Sequence, residues 1–172
     1  VADTHCKVLA DNSNLPGVAG KTWKAWLSDS THSPANQLDG DIWIQFNGSY
    51  KLVDGTTLVA NDWADLTNGN IVSAINKIET GGSILNSYVW TNTSDSGQSA
   101  TASHCTNWTS IIGSSAAGVA GLINSTWTNV CKIGGCYKFN GDGIGSGTNP
   151  LINITDSIYV RLLQQDRNST IE

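Results

Sequence analysis

The sequence predicts an α+β fold, mostly antiparallel β with short helices, tied by two disulfides and followed by a C-terminal extension strand. Three observations carry this. Short strand-like runs alternate with turn residues up to Phe139, four cysteines form an even set, and a glycine-rich break precedes a last apolar stretch.

With 172 residues the chain has the length of one ordinary domain, able to keep a single core. Only 13% of residues are charged, while Gly, Ser, Thr and Asn abound, which suits a loop-rich exported protein better than a cytosolic enzyme with salt-bridged helices. Seven Trp and four Tyr against two Phe and no Met make the interior depend on large rings whose polar atoms need partners when buried. The net charge of -5 and the presence of only two arginines, Arg161 and Arg167, exclude a clustered cationic surface for nucleic acid or heparin. No stretch reaches the length of a membrane helix, and the start at Val1 reads as a mature protein after signal removal.

Taken in order, residues 6–10 are the first strand expected, followed by a turn-rich loop from Asp11 to Gly17. Residues 21–27 place Trp23, Ala25 and Leu27 on one side and Trp26 on the other, which fits a strand packed on both faces. A short helix is expected over 33–38 and strand-like runs over 42–46 and 50–53. Asp54-Gly55 makes a tight turn into a further run over 57–60. Asn61 is positioned to cap a helical turn through Thr67, with Asp62 near its positive end and Asn68-Gly69 as its stop. Residues 87–91 read as a core strand, 92–103 as a polar loop without core anchors, and 113–121 as a second surface loop of small residues. The last core strand is expected over 136–139. Domain organisation follows: a core over 1–139, a linker over 140–150, and a tail over 151–172 for docking within the molecule or between subunits.

Cys6, Cys105, Cys131 and Cys136 lack the paired spacing of a structural zinc site, so two disulfides are expected, and spacing does not choose the pairing. Six N-glycosylation motifs begin at Asn47, Asn92, Asn107, Asn124, Asn153 and Asn168, some of them expected to carry glycan.

The segments Gly20-Lys-Thr-Trp-Lys-Ala-Trp-Leu-Ser28, Leu52-Val-Asp-Gly55, Asp62-Trp-Ala-Asp-Leu66, Val89-Trp-Thr-Asn92 and Cys105-Thr-Asn-Trp-Thr-Ser110, with Cys131 and Cys136, resemble in their order the endostatin-like branch of the C-type-lectin-like fold, including uncharacterised bacterial secreted relatives. The resemblance spans residues 5–139 and implies pairing of Cys6 with Cys136 and of Cys105 with Cys131. In the chain-entropy view the larger loop would contribute about 5 kcal/mol and the smaller about 3.5 kcal/mol. Function does not travel with the fold. The arginine clusters through which endostatin meets heparin are missing, and of its N-terminal zinc ligands only Asp3 and His5 have counterparts. Asn61-Asp-Trp63 shares residue types, not order, with the Trp-Asn-Asp signature of sugar-binding members.

No catalytic machinery is expected. His5, His32 and His104 lie outside any nucleophile or zinc-helix motif. Calcium is the one cofactor considered, with Asn140 and Asp142 as weak ligands and Asp54, Asp62, Asp65 and Asp95 as further oxygen donors. The tail carries Ile152, Ile154, Ile158, Val160 and Leu162 in near alternation, an apolar edge that needs burial. The function expected is therefore an extracellular, glycosylated, non-enzymatic structural subunit. It would assemble with copies of itself into a fibre or surface layer by donating this strand. The alternative is a monomeric secreted lectin-like module that binds glycan or protein through the loops over 92–103 and 113–121.

Overall fold

The computed structural model describes residues 2–21, 23–36, 48–110, 112–134 and 164–165. Over these residues the chain is a small mixed α+β protein of short antiparallel strands and few helices. The order is helix α1 (Ala2–Asp11), strands β1 (Tyr50–Lys51) and β2 (Leu58–Ala60), helix α2 (Trp63–Leu66), strand β3 (Tyr88–Trp90), helical turn α3 (Cys105–Trp108), strand β4 (Ser114–Val119), a 3-10 turn (Ser125–Trp127), and strands β5 (Cys131–Gly134) and β6 (Gln164–Gln165). Two three-stranded antiparallel sheets form, ordered β2-β1-β6 and β3-β4-β5.

The expected first strand is instead the helix α1. Cys6 and Ala10, four residues apart, are both fully buried, which is a helical stripe rather than a strand alternation. Asp3 fastens the helix by accepting from Lys24 Nζ at 2.9 Å and from the Ala25 amide at 2.7 Å. Lys7 and Asp11 pair one turn apart on its outer face.

The hairpin joining β1 to β2 matches expectation. Asp54 accepts from the Thr56 and Thr57 amides at 2.9 and 2.8 Å and from Thr57 Oγ1 at 2.7 Å, while Gly55 takes the left-handed φ of 73° that the turn requires. The helical turn after it is also present, but Asp62 caps it rather than Asn61. Asp62 Oδ1 accepts from the Asp65 amide at 2.8 Å, and Asp65 reaches back to the Asn61 amide at 2.8 Å, a reciprocal capping arrangement. The described part of the expected 33–38 helix is a tight turn closed by the Asn36 amide on the Ser33 carbonyl.

Two expected surface loops hold buried residues. Residues 114–119 form β4, the central strand of its sheet, with Ala116 and Ala117 buried. Their small size is a packing requirement. A Cβ at Gly118 would stand 2.2 Å from the Trp127 carbonyl oxygen and 2.6 Å from Thr128 Cα. The loop after β3 is likewise anchored, since Asn92 and Thr93 are completely buried.

The main cluster gathers Trp26, Trp127, Tyr50, Leu52, Val59, Leu66, Ile71 and Ile75. Trp26 packs with Trp127 at a centroid distance of 5.2 Å and with Trp63 at 5.9 Å, tilted in both pairs. A second cluster holds Cys6, Ala10, Val18, Trp23, Ala25 and Val53. Trp23 and Trp26 thus serve different clusters, the two-faced burial expected over 21–27, but described residues 23–27 form no strand.

The expected bond between Cys6 and Cys136 is not formed, because Cys6 is a free thiol on the buried face of α1. Burial, then the Asp3 carboxylate, pushes its pKa well up, so it stays protonated and inert. With Cys6 reduced, four cysteines allow at most one intrachain disulfide, and Cys105 is disulfide-bonded. Its expected pairing with Cys131, the side chains of Cys131 and Cys136, the strand over 42–46, the strand over 136–139 and the linker lie outside the described residues or side chains.

Candidate functional site

Only one described segment departs from ordinary backbone for several residues in succession. Cys105, Thr106, Asn107 and Trp108 have φ of 53°, 52°, 54° and 62°, so α3 is a left-handed helical turn containing no glycine. Such a conformation costs roughly 1–2 kcal/mol per residue and persists where the surroundings over-determine it.

Those surroundings are explicit. Cys105 is disulfide-bonded, and the buried Trp108 sets its ring edge-on to Trp90 at 6.4 Å while donating from Nε1 to the Ser28 carbonyl at 3.1 Å. His104 Nδ1 accepts from the Asn107 amide at 2.9 Å, and Asn107 Oδ1 accepts from the Ser30 amide at 3.1 Å. The turn is thereby clamped at its interior face and tied laterally to the loop after Ser28.

Beneath it runs a buried hydroxyl network. Ser28 and Thr93 share a hydroxyl contact of 2.8 Å, Thr91 Oγ1 donates to the Thr128 carbonyl at 2.6 Å, and Thr128 Oγ1 donates to the Thr93 carbonyl at 2.8 Å. The same Thr128 hydroxyl accepts from Trp26 Nε1 at 2.7 Å, which links the tryptophan core to this face. Asn92 closes the 92–103 loop, donating to the Thr101 carbonyl at 3.2 Å and accepting from Thr101 Oγ1 at 2.9 Å. Satisfied buried polar groups of this kind rigidify the backbone they join.

Outside, the face is polar. Asp29 Oδ1 accepts from the Thr31 and His32 amides, each at 2.8 Å, and lies 3.2 Å from His32 Nδ1. Partial burial raises the Asp29 pKa, but the two amides and His32 outweigh it and hold the carboxyl below its ordinary range. Thr31 Oγ1 also meets His32 Nδ1, at 2.8 Å. This is not a catalytic triad. Hydroxyl and carboxylate address the same ring nitrogen, so no proton path crosses the imidazole. Ser30, Thr31, His32, Thr106, Asn107 and Thr109 are exposed and present hydroxyl, carboxamide and imidazole groups to solvent.

The sequence-derived site residues fare differently. Of the glycan-acceptor candidates among the described residues, Asn92 is completely buried, whereas Asn107 and Asn124 are exposed. Asp54, Asp62 and Asp65 spend their carboxylates on turn and cap amides, and Asp95 stands apart beside Gly69. Among the described residues no group of three or more His, Cys, Asp or Glu is arranged to hold a metal ion, and no helix is long and apolar enough to cross a membrane. Asn47, Asn153, Asn168, Asn140, Asp142, Ile152, Ile154, Ile158, Val160 and Leu162 fall outside the described residues. The left-handed turn itself escapes sequence reasoning. Asn107 is the single member whose residue type favours that conformation. Comparison with known proteins finds no family model, no curated protein and no solved structure that matches the chain.

Proposed function

We propose that this chain is a non-enzymatic, secreted binding module of the C-type-lectin-like class, in its endostatin-like branch. It takes a hydroxyl-rich ligand, a glycan, on the face formed by residues 29–32 and 106–109. The strained left-handed turn carries the reading. Backbone strain held by a disulfide, a buried tryptophan and two side-chain bonds keeps an exposed row of donors and acceptors rigid, so little ordering free energy is lost on binding. Hydrogen bonding without a cationic patch suits a neutral saccharide better than a polyanion.

Binding to immobilised neutral oligosaccharides tests it. His32→Ala and Asn107→Ala are expected to weaken retention at least about tenfold, in keeping with one or two lost hydrogen bonds in a bound complex. Tyr88→Ala, at the exposed first residue of β3, is expected to leave it unchanged. If neutral oligosaccharides are not retained, or if all three variants bind alike, the reading fails.

The structural-subunit reading rests on a different observation. β6 lies on the edge of its sheet and pairs antiparallel with β1, Tyr50 opposite Gln165 and Lys51 opposite Gln164. A strand donated by a neighbour would take the same place. In the single chain this place is taken by its own residues Gln164–Gln165. Sedimentation separates the two: a fibre former gives large assemblies that disappear on deletion of residues 151–172, whereas the module stays monomeric at high concentration.

A further inference from the structure

Three glycosylation motifs lie among the described residues, and their environments differ enough to rank them. Asn92 is completely buried with its carboxamide bonded on both sides, to Thr101 and Ser99. Asn107 is exposed but sits in the left-handed turn. Its Oδ1 is taken by the Ser30 amide, its neighbour Trp108 is buried, and the Thr109 hydroxyl turns to the Thr106 carbonyl instead of to Asn107. Asn124 differs in its backbone, its neighbours and the partners of its motif's hydroxyl. Leu122, Ile123, Asn124 and Ser125 form an exposed run, so an enzyme can reach the segment without unfolding it.

The backbone at Asn124 is extended, with φ -86° and ψ -179°, and the Thr126 amide at 3.2 Å and the Thr126 hydroxyl both donate to Asn124 Oδ1. The motif's third residue thereby fixes the rotation of the carboxamide, and among the described residues Nδ2 makes no hydrogen bond. The exposed carboxamide is thus held at one end by its own motif and left unengaged at the other.

We infer that Asn124 is, among the described residues, the one that accepts an N-linked glycan on the folded protein, from a lipid-phosphate-linked saccharide. Nδ2 forms a bond to the anomeric carbon of the saccharide, and the bond from that carbon to the phosphate oxygen breaks. The lipid phosphate leaves with the electron pair, and the Nδ2 proton passes to a base of the transferase. The inference shares with the proposed function only the premise of export, because the contacts that present Asn124 involve none of residues 29–32 or 106–109.

Glycopeptide mass spectrometry of the native exported protein tests it. The peptide bearing Asn124 is expected to carry a saccharide mass increment, and the peptide bearing Asn92 to run at its bare mass. Asn124→Asp keeps the oxygen that caps the following turn and removes the nucleophile, so the increment should vanish while the thermal midpoint changes little. Thr126→Val should abolish it as well. A bare Asn124 peptide from native protein, an increment that survives Asn124→Asp, or glycan on Asn92 overturns the inference. Oligosaccharide retention by the unglycosylated protein is a separate measurement, so either idea can fail alone.

Discussion

Replacing Thr106 by glycine is expected to stabilise the protein, which is the opposite of what glycine normally does. Thr106 is exposed, β-branched and held at φ 52° and ψ 55°. An L-residue there costs roughly 1–2 kcal/mol, with a β-branched one toward the upper end, and glycine removes that cost. Against this stands the greater unfolded-state freedom of glycine, about 0.5–1 kcal/mol. No hydrogen bond of the Thr106 side chain opposes the change, since its carbonyl, not its hydroxyl, is the group that Thr109 engages. The net expectation is a gain of about 0.5–1 kcal/mol, or about 1–4 °C in Tm for a domain of this size. Urea unfolding followed by tryptophan fluorescence reads it directly. Ala64→Gly, on the exposed side of α2, supplies the ordinary sign and should lose up to about 1 kcal/mol. If Thr106→Gly destabilises as Ala64→Gly does, the turn is not left-handed and the argument for a strained, rigid face falls with it.

A Cβ at Gly118 meets backbone on the Trp127–Thr128 side, so Gly118→Ala should cost about 3 kcal/mol in the same unfolding assay. Gly82→Ala, where the nearest atom is the flexible end of Ile78, should stay within about 0.5 kcal/mol of the parent. Asp54 gives a pH test. Desolvation raises its pKa, but the Thr57 and Thr56 donors outweigh that and hold it down from 3.8 to about 2. A depressed folded-state pKa means stability present above pH 3.8 and lost as pH falls toward 2. Because the carboxylate is solvent-exposed the contribution is discounted to below about 1 kcal/mol. Asp54→Asn should therefore flatten the stability curve between those two pH values, and an unchanged slope would refute the assignment.

Several elements were legible because their causes are local. Asp54-Gly55 between two apolar runs specifies a hairpin through the Asp side chain and the left-handed glycine, both fixed within a few residues. The strand around Val89 and the two-faced segment with Trp23 and Trp26 follow from alternation alone. The cap of α2 was nearly legible, and neighbouring Asn61 and Asp62 differ only in which one the backbone brings into register with the Asp65 amide. The misread elements share another property. Ser114 to Val119 looks like a loop because small side chains carry little apolar area, yet small side chains are what a strand needs when the Trp127 carbonyl passes over it. Asn92 and Thr93 look like surface residues because they are polar, and they are buried because Ser28, Thr91, Thr101 and Thr128 satisfy them.

Residue type and short spacing were enough for the coarse fold class, a mixed α+β chain of short antiparallel strands and few helices. Its tryptophan-rich interior, turn chemistry, low charge and hairpin arise from residue type and short spacing. Only long-range packing makes Cys6 a buried thiol on a helix, turns a run of small residues into a central strand, and holds Cys105 to Trp108 left-handed. In each case the deciding partner lies far along the chain: Trp23 and Val53 around Cys6, Trp127 against Gly118, Ser28 and Ser30 around α3. The strain of four left-handed residues is offset by contacts that no local reading of Cys-Thr-Asn-Trp contains, which is why the face proposed to bind ligand is the part of the protein least visible in its sequence.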